Sequence, residues 1–324
     1  MKAQRDVFIE GLFLEAKKDS RIVFISVDMG APALDQWRNE LPDQFIAAGI
    51  SEQNAINVAA GLSASGKKPY VYMMACWVAR CFEQIRYSCA MAGNPITILG
   101  NGVALGYAPA GPAHEPTEDL AYMRAIEGLE ILSPSSIHLI PLILEQTLNV
   151  PKLRYIRLER SVSPTLSSFE IGTNAPQVVS AGMTVLKEFN KAQAAKKVTI
   201  FSSGYLLQKT LEVQELLEAK HEMNCQVVDL WRIKPLNAHG IAKITSDSDF
   251  IVTVEEQALS AAFGAAIIEG FSDEGILKNV LRIGLDTAYV FDNGNRDQLL
   301  DSHGLSTPNI LEKILLFHSM LLTK

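Results

Sequence analysis

Apolar, β-branched runs alternate with stretches of helical period along nearly the whole chain, and this alternation limits the fold more than any other feature. Arg21–Val27 (RIVFISV) has no polar alternation and reads as a strand buried on both faces. Phe45–Ile46, Pro69–Met74, Pro95–Leu99, Glu130–Leu132 and Arg154–Leu158 read as further strands. Helical period covers 4–17, where Ile9, Leu12, Phe13 and Ala16 share a face, and recurs over 52–65, 80–91 and 118–125. Strands separated by helices need crossover connections, so a mostly parallel sheet with helices on both faces is expected.

Residues 161–182 lose this period and are rich in Ser, Thr, Pro and Gly, which reads as a linker. A second alternation follows. Val198–Ser202, Cys225–Leu230, Phe250–Val254 and Val280–Ile283 are expected strands; 206–220, 260–271 and 309–322 are expected helices. With 324 residues there is room for about two domains. The expected division is 1–170 and 190–324, joined through 171–189.

Hydrophobic residues make up 48% and charged residues 20% of the chain, which excludes a disordered protein. That charged share is below the roughly 25% of ordinary soluble domains, so a partner is expected to cover part of the surface. The net charge is −7 and no Lys/Arg-rich run occurs, which excludes a cationic stripe for nucleic acid. No apolar run approaches the roughly 18 residues of a membrane span, and the N-terminus carries no signal-like segment. Cys76, Cys81, Cys89 and Cys225 lack zinc-ligand spacing and read as buried thiols of a reducing compartment. A soluble cytoplasmic protein is expected.

Three segments are candidates for chemistry. Gly100-Asn-Gly102-Val-Ala-Leu-Gly106 follows a strand, but Pro109 and Pro112 prevent the helix that a dinucleotide motif must open. Gly49-Ile-Ser-Glu-Gln-Asn54 lies between a strand and a helix rich in small residues, where open α/β sheets place ligands. There Glu52 either complements the helix macrodipole beside a capping Ser51 or belongs to a site. Gly111-Pro-Ala-His114-Glu-Pro sits in a long loop, where an imidazole can donate to a developing oxyanion or move a proton.

Together, AGISEQNAINVAAGLSASGKKP (48–69), CWVARCFEQIR (76–86), GPAHEPTEDLAYMRAI (111–126), SPSS (133–136), IKPLN and VTVEEQ resemble the C-terminal half of a transketolase. The resemblance runs from about residue 5 to 315. It implies two α/β domains: a thiamine-diphosphate pyrimidine-binding fold, then a transketolase C-terminal domain. The family's diphosphate domain, with its G-D-G…N signature for Mg²⁺, is absent from this sequence. The resemblance therefore implies the second chain of a split enzyme, a separate diphosphate-binding subunit that binds Mg²⁺, and an α₂β₂ assembly with self-association through both domains.

By the same resemblance, Glu52 hydrogen-bonds the aminopyrimidine ring of thiamine diphosphate and favours the tautomer that takes the reactive proton. Trp77 stands where the family stacks a Phe on that ring, with Phe82 further along the segment. Asp28, in SVDMG, stands where the family carries an acid near the thiazolium. His114 matches the histidine that contacts the substrate hydroxyl or carbonyl. Arg160 matches an arginine that binds sugar phosphate, with Arg157 as the fallback in register. The second domain is expected to supply no catalytic residue. The implied activity is transfer of a two-carbon ketol unit from a ketose phosphate to an aldose phosphate.

Two departures bear on the substrate. The family's acidic residue before Gly-Pro-Thr-His is Ala110 here, and the Thr is Ala113. The loop Gly106–Ala110 is also longer than the common pattern. A lost hydrogen-bond partner relaxes or redirects recognition, so a deoxy, branched or otherwise modified sugar is a candidate. Alternatives are a 2-oxoacid dehydrogenase β-type chain, a 1-deoxyxylulose-phosphate-synthase-like acyl transferase, and a non-catalytic regulatory subunit.

Overall fold

The computed structural model describes residues 2–161, 175–190, 195–286 and 289–323. Two sheets form the frame. The first contains β1 (Ile22–Ser26), β2 (Phe45–Ala47), β3 (Lys68–Met74), β4 (Thr97–Asn101), β5 (Glu130–Leu132) and β6 (Arg154–Leu158). The second contains β7 (Met183–Lys187), β8 (Lys196–Ser202), β9 (Met223–Leu230), β11 (Phe250–Ala258) and β12 (Val280–Leu285). β10 (Arg232–Lys234) leaves the second unit and pairs antiparallel with β5, giving a seven-stranded order β10-β5-β6-β4-β3-β1-β2. The other sheet runs β12-β11-β8-β9-β7.

β1 to β6 all run parallel, as the crossover argument requires. β1, β4, β5 and β6 are buried at every residue, because helices cover both faces. One apolar cluster joins the helix Gln4–Ala16, Trp37 and the helix Ile140–Asn149; a second joins the helix Glu52–Ala64, β3 and part of the second domain. The helices Leu34–Glu40 and Ile140–Asn149 were not expected. The first is only two turns long, and the second begins with a Pro and an almost wholly apolar run that hides its period.

Several expectations need correction. The stretch 80–91 is not one α-helix. Ala75–Cys81 is 3-10, Phe82–Gln84 is a single α-turn and Ile85–Met91 is π-helical. Ser51 does not cap the helix after it; its hydroxyl donates to the Ala48 carbonyl at 2.6 Å. The linker reading of 161–182 and 171–189 falls largely on 162–174, outside the described residues. Its described part is regular: Ala175–Ala181 is helical, and β7 pairs antiparallel with β9. β11 continues past Val254 through Glu255, Glu256 and Gln257, all buried. Charged residues ended the expected strand, but each of these carboxylates finds a partner. The helix expected from Ser260 starts at Phe263, because Ala261 takes a left-handed φ of 58°. Among the described residues no helix is long and apolar enough to cross a membrane.

Candidate active site

Parallel strands bring their carboxyl ends, and the loops that follow, to one edge of the first sheet. All six residues expected at a site lie there: Asp28 after β1, Glu52 after β2, Trp77 and Phe82 after β3, His114 after β4 and Arg160 after β6. This is the edge where open α/β sheets bind ligands.

Glu52 opens the helix Glu52–Ala64 and is 6% exposed. The carboxyl thus stands at the positive end of the helix dipole. Its Oε1 lies 3.5 Å from Arg80 Nη1. Arg80 was not foreseen. The 3-10 geometry of Ala75–Cys81 explains it, since residues three apart eclipse in such a helix. Arg80 therefore sits on Trp77, its guanidinium carbon 4.3 Å from the ring centroid.

Trp77 is half-buried and meets the His114 ring edge-on, with centroids 5.5 Å apart and planes at 65°. His114 ends the 3-10 turn Pro112–His114, which Gly111 enters with φ 78°. The His114 amide donates to the Gly111 carbonyl at 2.9 Å, while its Nδ1 is buried without a protein partner.

Beyond His114 stands Tyr107, also unforeseen, with ring centroids 6.4 Å apart. Its hydroxyl accepts from Asn101 Nδ2 at 2.9 Å. The Arg160 guanidinium carbon lies 4.4 Å from the Tyr107 centroid. Contacts thus run unbroken from Glu52 through Arg80, Trp77, His114 and Tyr107 to Arg160. Arg157, the fallback, is buried away from this line, and its Nε and Nη1 donate to Asp119 at 2.7 Å and Ser133 at 3.0 Å. Phe82 does not join the line but packs on the core cluster that contains Val78, Cys81 and Ile85. Asp28 is exposed with φ 44° and makes no hydrogen bond or ion pair among the described residues.

The second domain reaches the same edge. Arg296 donates to Glu159 at 2.7 and 3.0 Å and to Glu256 at 2.7 and 2.6 Å, and lies 4.0 Å over Tyr205. Glu256 also accepts from the Leu105 amide at 3.3 Å, which ties down the loop that carries Tyr107. A cleft of about 600 Å³ opens between the domains, lined by Gly106, Pro109, Arg160, Tyr205, Asn295 and Arg296. Glu115, beside His114, is buried with neither carboxylate oxygen partnered. Burial, then the nearby Glu256 charge, pushes it up to about 7.

Fold and site define a class: the pyrimidine-binding and C-terminal domains of a thiamine-diphosphate-dependent transferase. The chain belongs to the transketolase family, with residues 1–164 matching "Transketolase, pyrimidine binding domain" and residues 187–310 matching "Transketolase, C-terminal domain". It is 29% identical over 322 residues to one of the subunits of the apulose-4-phosphate transketolase of Phocaeicola vulgatus, covering 98% of both chains. It is 27% identical to 1-deoxy-D-xylulose-5-phosphate synthase of Caldanaerobacter subterraneus subsp. tengcongensis, of which it spans 48%. Among solved structures, a split-gene transketolase described as an inactive β4 tetramer superposes with a TM-score of 0.82, 28% identity and coverage of 97% of this chain and 98% of that one. Transketolase from Campylobacter jejuni shares the fold, with a TM-score of 0.76, 19% identity and coverage of 97% of this chain and 46% of that one.

Proposed function

We propose that this chain is the pyrimidine-binding and C-terminal subunit of a split transketolase, with domains 1–170 and 190–324. It works in the cytoplasm with a separate diphosphate-binding subunit, which holds Mg²⁺, in an α₂β₂ assembly. The enzyme transfers a two-carbon ketol unit from a ketose phosphate to an aldose phosphate. The observation that carries this reading is the unbroken line from Glu52 to Arg160 along the carboxyl edge of the first sheet.

The residues present fit thiamine diphosphate. A buried carboxyl at a helix N-terminus, an aromatic surface beside it and a partnerless imidazole nitrogen are the donor set that an aminopyrimidine and a carbonyl substrate require. When bound, the cofactor supplies the carbon nucleophile that accepts the ketol unit. Glu52 holds the pyrimidine nitrogen and manages its proton. Arg80 fixes the Glu52 carboxyl from one side, and Trp77 gives the ring an apolar surface. His114 offers its Nδ1 side to the substrate oxygen, where developing negative charge is stabilised. Arg160, exposed at the cleft, presents its planar fork of donors to phosphate. Asp28 stands on the same edge as a further cofactor contact, whereas Phe82 contributes through the core behind Trp77.

The test is reconstitution with the diphosphate-binding subunit. Replacing Glu52 by Gln abolishes ketol transfer while assembly and the unfolding midpoint stay unchanged; survival of activity would overturn the assignment. The 1-deoxy-D-xylulose-5-phosphate synthase relatives favour a second reading, acyl transfer. Turnover with a 2-oxoacid donor but not with a ketose phosphate would select it.

A further inference from the structure

Tyr107 lies in the loop Gly106–Ala110, between the strand β4 and the turn that carries His114. Four contacts fix its ring. Asn101 bonds the hydroxyl, His114 meets one side and Arg160 covers a face. The fourth is a notch in the backbone: at Gly102, with φ 74°, a Cβ would stand 1.9 Å from Tyr107 Cε2. Only glycine leaves room for this ring at this backbone angle. The loop is pinned one turn earlier by the Leu105 amide on Glu256, which Arg296 holds in turn.

Tyr107 is thus a rigid spacer between the group that meets a carbonyl and the group that meets a phosphate. The Arg160 side chain is long and exposed, and among the described residues the Tyr107 ring beneath it is what sets where its guanidinium rests. We propose that Tyr107 is the specificity-determining residue of the site, setting the distance between carbonyl and phosphate and so the chain length of the aldose phosphate accepted. This rests on the ketol-transfer reading above. The neighbouring Ala110 and Ala113 add only methyl groups beside His114, so neither of them competes with Tyr107 in placing the substrate.

The experiment uses the reconstituted complex with hydroxypyruvate as donor. In that step the bond to the carboxylate breaks and CO₂ leaves, a carbon–carbon bond forms to the aldehyde carbon, and the aldehyde oxygen takes up a proton. The acceptors are glyceraldehyde 3-phosphate, erythrose 4-phosphate and ribose 5-phosphate. The native complex should favour one length by roughly tenfold or more in kcat/KM, the scale set by a cation held on an aromatic ring. Tyr107→Leu should narrow the spread to about threefold, while Tyr107→Phe, which keeps the ring, should preserve it. Arg160→Gln, a change at an exposed position, should narrow it likewise, so the proposal remains testable if Tyr107→Leu does not fold. Full selectivity in both Tyr107→Leu and Arg160→Gln, a native complex without length preference, or loss of selectivity in Tyr107→Phe would overturn the proposal. No turnover of any acceptor by the native complex would instead sink the ketol-transfer reading itself, and this one with it.

Discussion

Replacing Arg296 by Ala would leave two buried carboxylates facing each other. Arg296 is 10% exposed, and Glu159 and Glu256 are 2% and 3% exposed, so water does not take the guanidinium's place. Removing one partner of a buried ion pair costs about 3–5 kcal/mol. Protonating one of the two carboxyls relieves the repulsion, and this sets a ceiling. From an ordinary glutamate value of about 4.3, that protonation costs about 5 kcal/mol at pH 8 and only about 1–2 kcal/mol near pH 5.5. The variant should therefore lose about 3–5 kcal/mol at the higher pH and about 1–2 kcal/mol at the lower. Urea unfolding followed by tryptophan fluorescence reads this, because Trp37 and Trp231 are fully buried. Combining Arg296→Ala with Glu159→Gln and Glu256→Gln should recover at least half of the loss at pH 8. A loss under about 1 kcal/mol at pH 8, or the same loss at both pH values, would refute the reasoning.

Asp229 is fully buried, takes a hydrogen bond from Ser135 at 2.6 Å, and is pushed up to about 7 by burial. Its folded value lies above its unfolded one, so the stability it contributes is present at low pH and is lost as pH rises from about 4 to about 7. Asp229→Asn should flatten the urea stability profile between about pH 5 and pH 8 by roughly 2–3 kcal/mol; an unchanged slope would sink the assignment. Glu115→Gln should act in the same direction, since burial and Glu256 also push Glu115 up to about 7. His114→Ala should lower kcat by roughly 10²-fold or more with a near-native unfolding midpoint, a pattern checked by steady-state kinetics beside calorimetry. Gly102→Ala should displace the Tyr107 ring and cost about 1–2 kcal/mol for the left-handed backbone alone, read from the thermal midpoint.

The strands are legible because full burial leaves an unbroken apolar run, and Arg21–Val27 is the clearest case. Glu52 and His114 stand out by position, each at a junction of element and loop, but their roles come only through the resemblance, since Glu52 alone also suits the helix macrodipole. Trp77 is reached only through the resemblance. Arg80 is not legible: the expected helix over 80–91 leaves Trp77 outside it, and the 3-10 segment that carries both residues and eclipses them is set by packing. Tyr107 leaves no signal, since one tyrosine in a long loop has no period, and its place follows from the notch at Gly102. The Arg296 clamp joins residues 137 positions apart, Glu159 and Arg296, and no local pattern carries that information. The buried acids of β11 mislead for the same reason: their partners lie far along the chain.

β10 has a consequence for inheritance. Residues 232–234 come from the later part of the chain yet complete the edge of the earlier sheet, with the Ser133 amide on the Trp231 carbonyl at 2.6 Å and Lys234 Nζ on the carbonyls of Arg124 and Ile126 at 2.7 Å each. A gene broken between the two sheets would yield a first fragment with a bare edge at β5, ready to capture any passing strand. Its second fragment would carry the strand shaped for that edge. A seam placed outside the two-sheet unit would instead leave that edge paired within one chain.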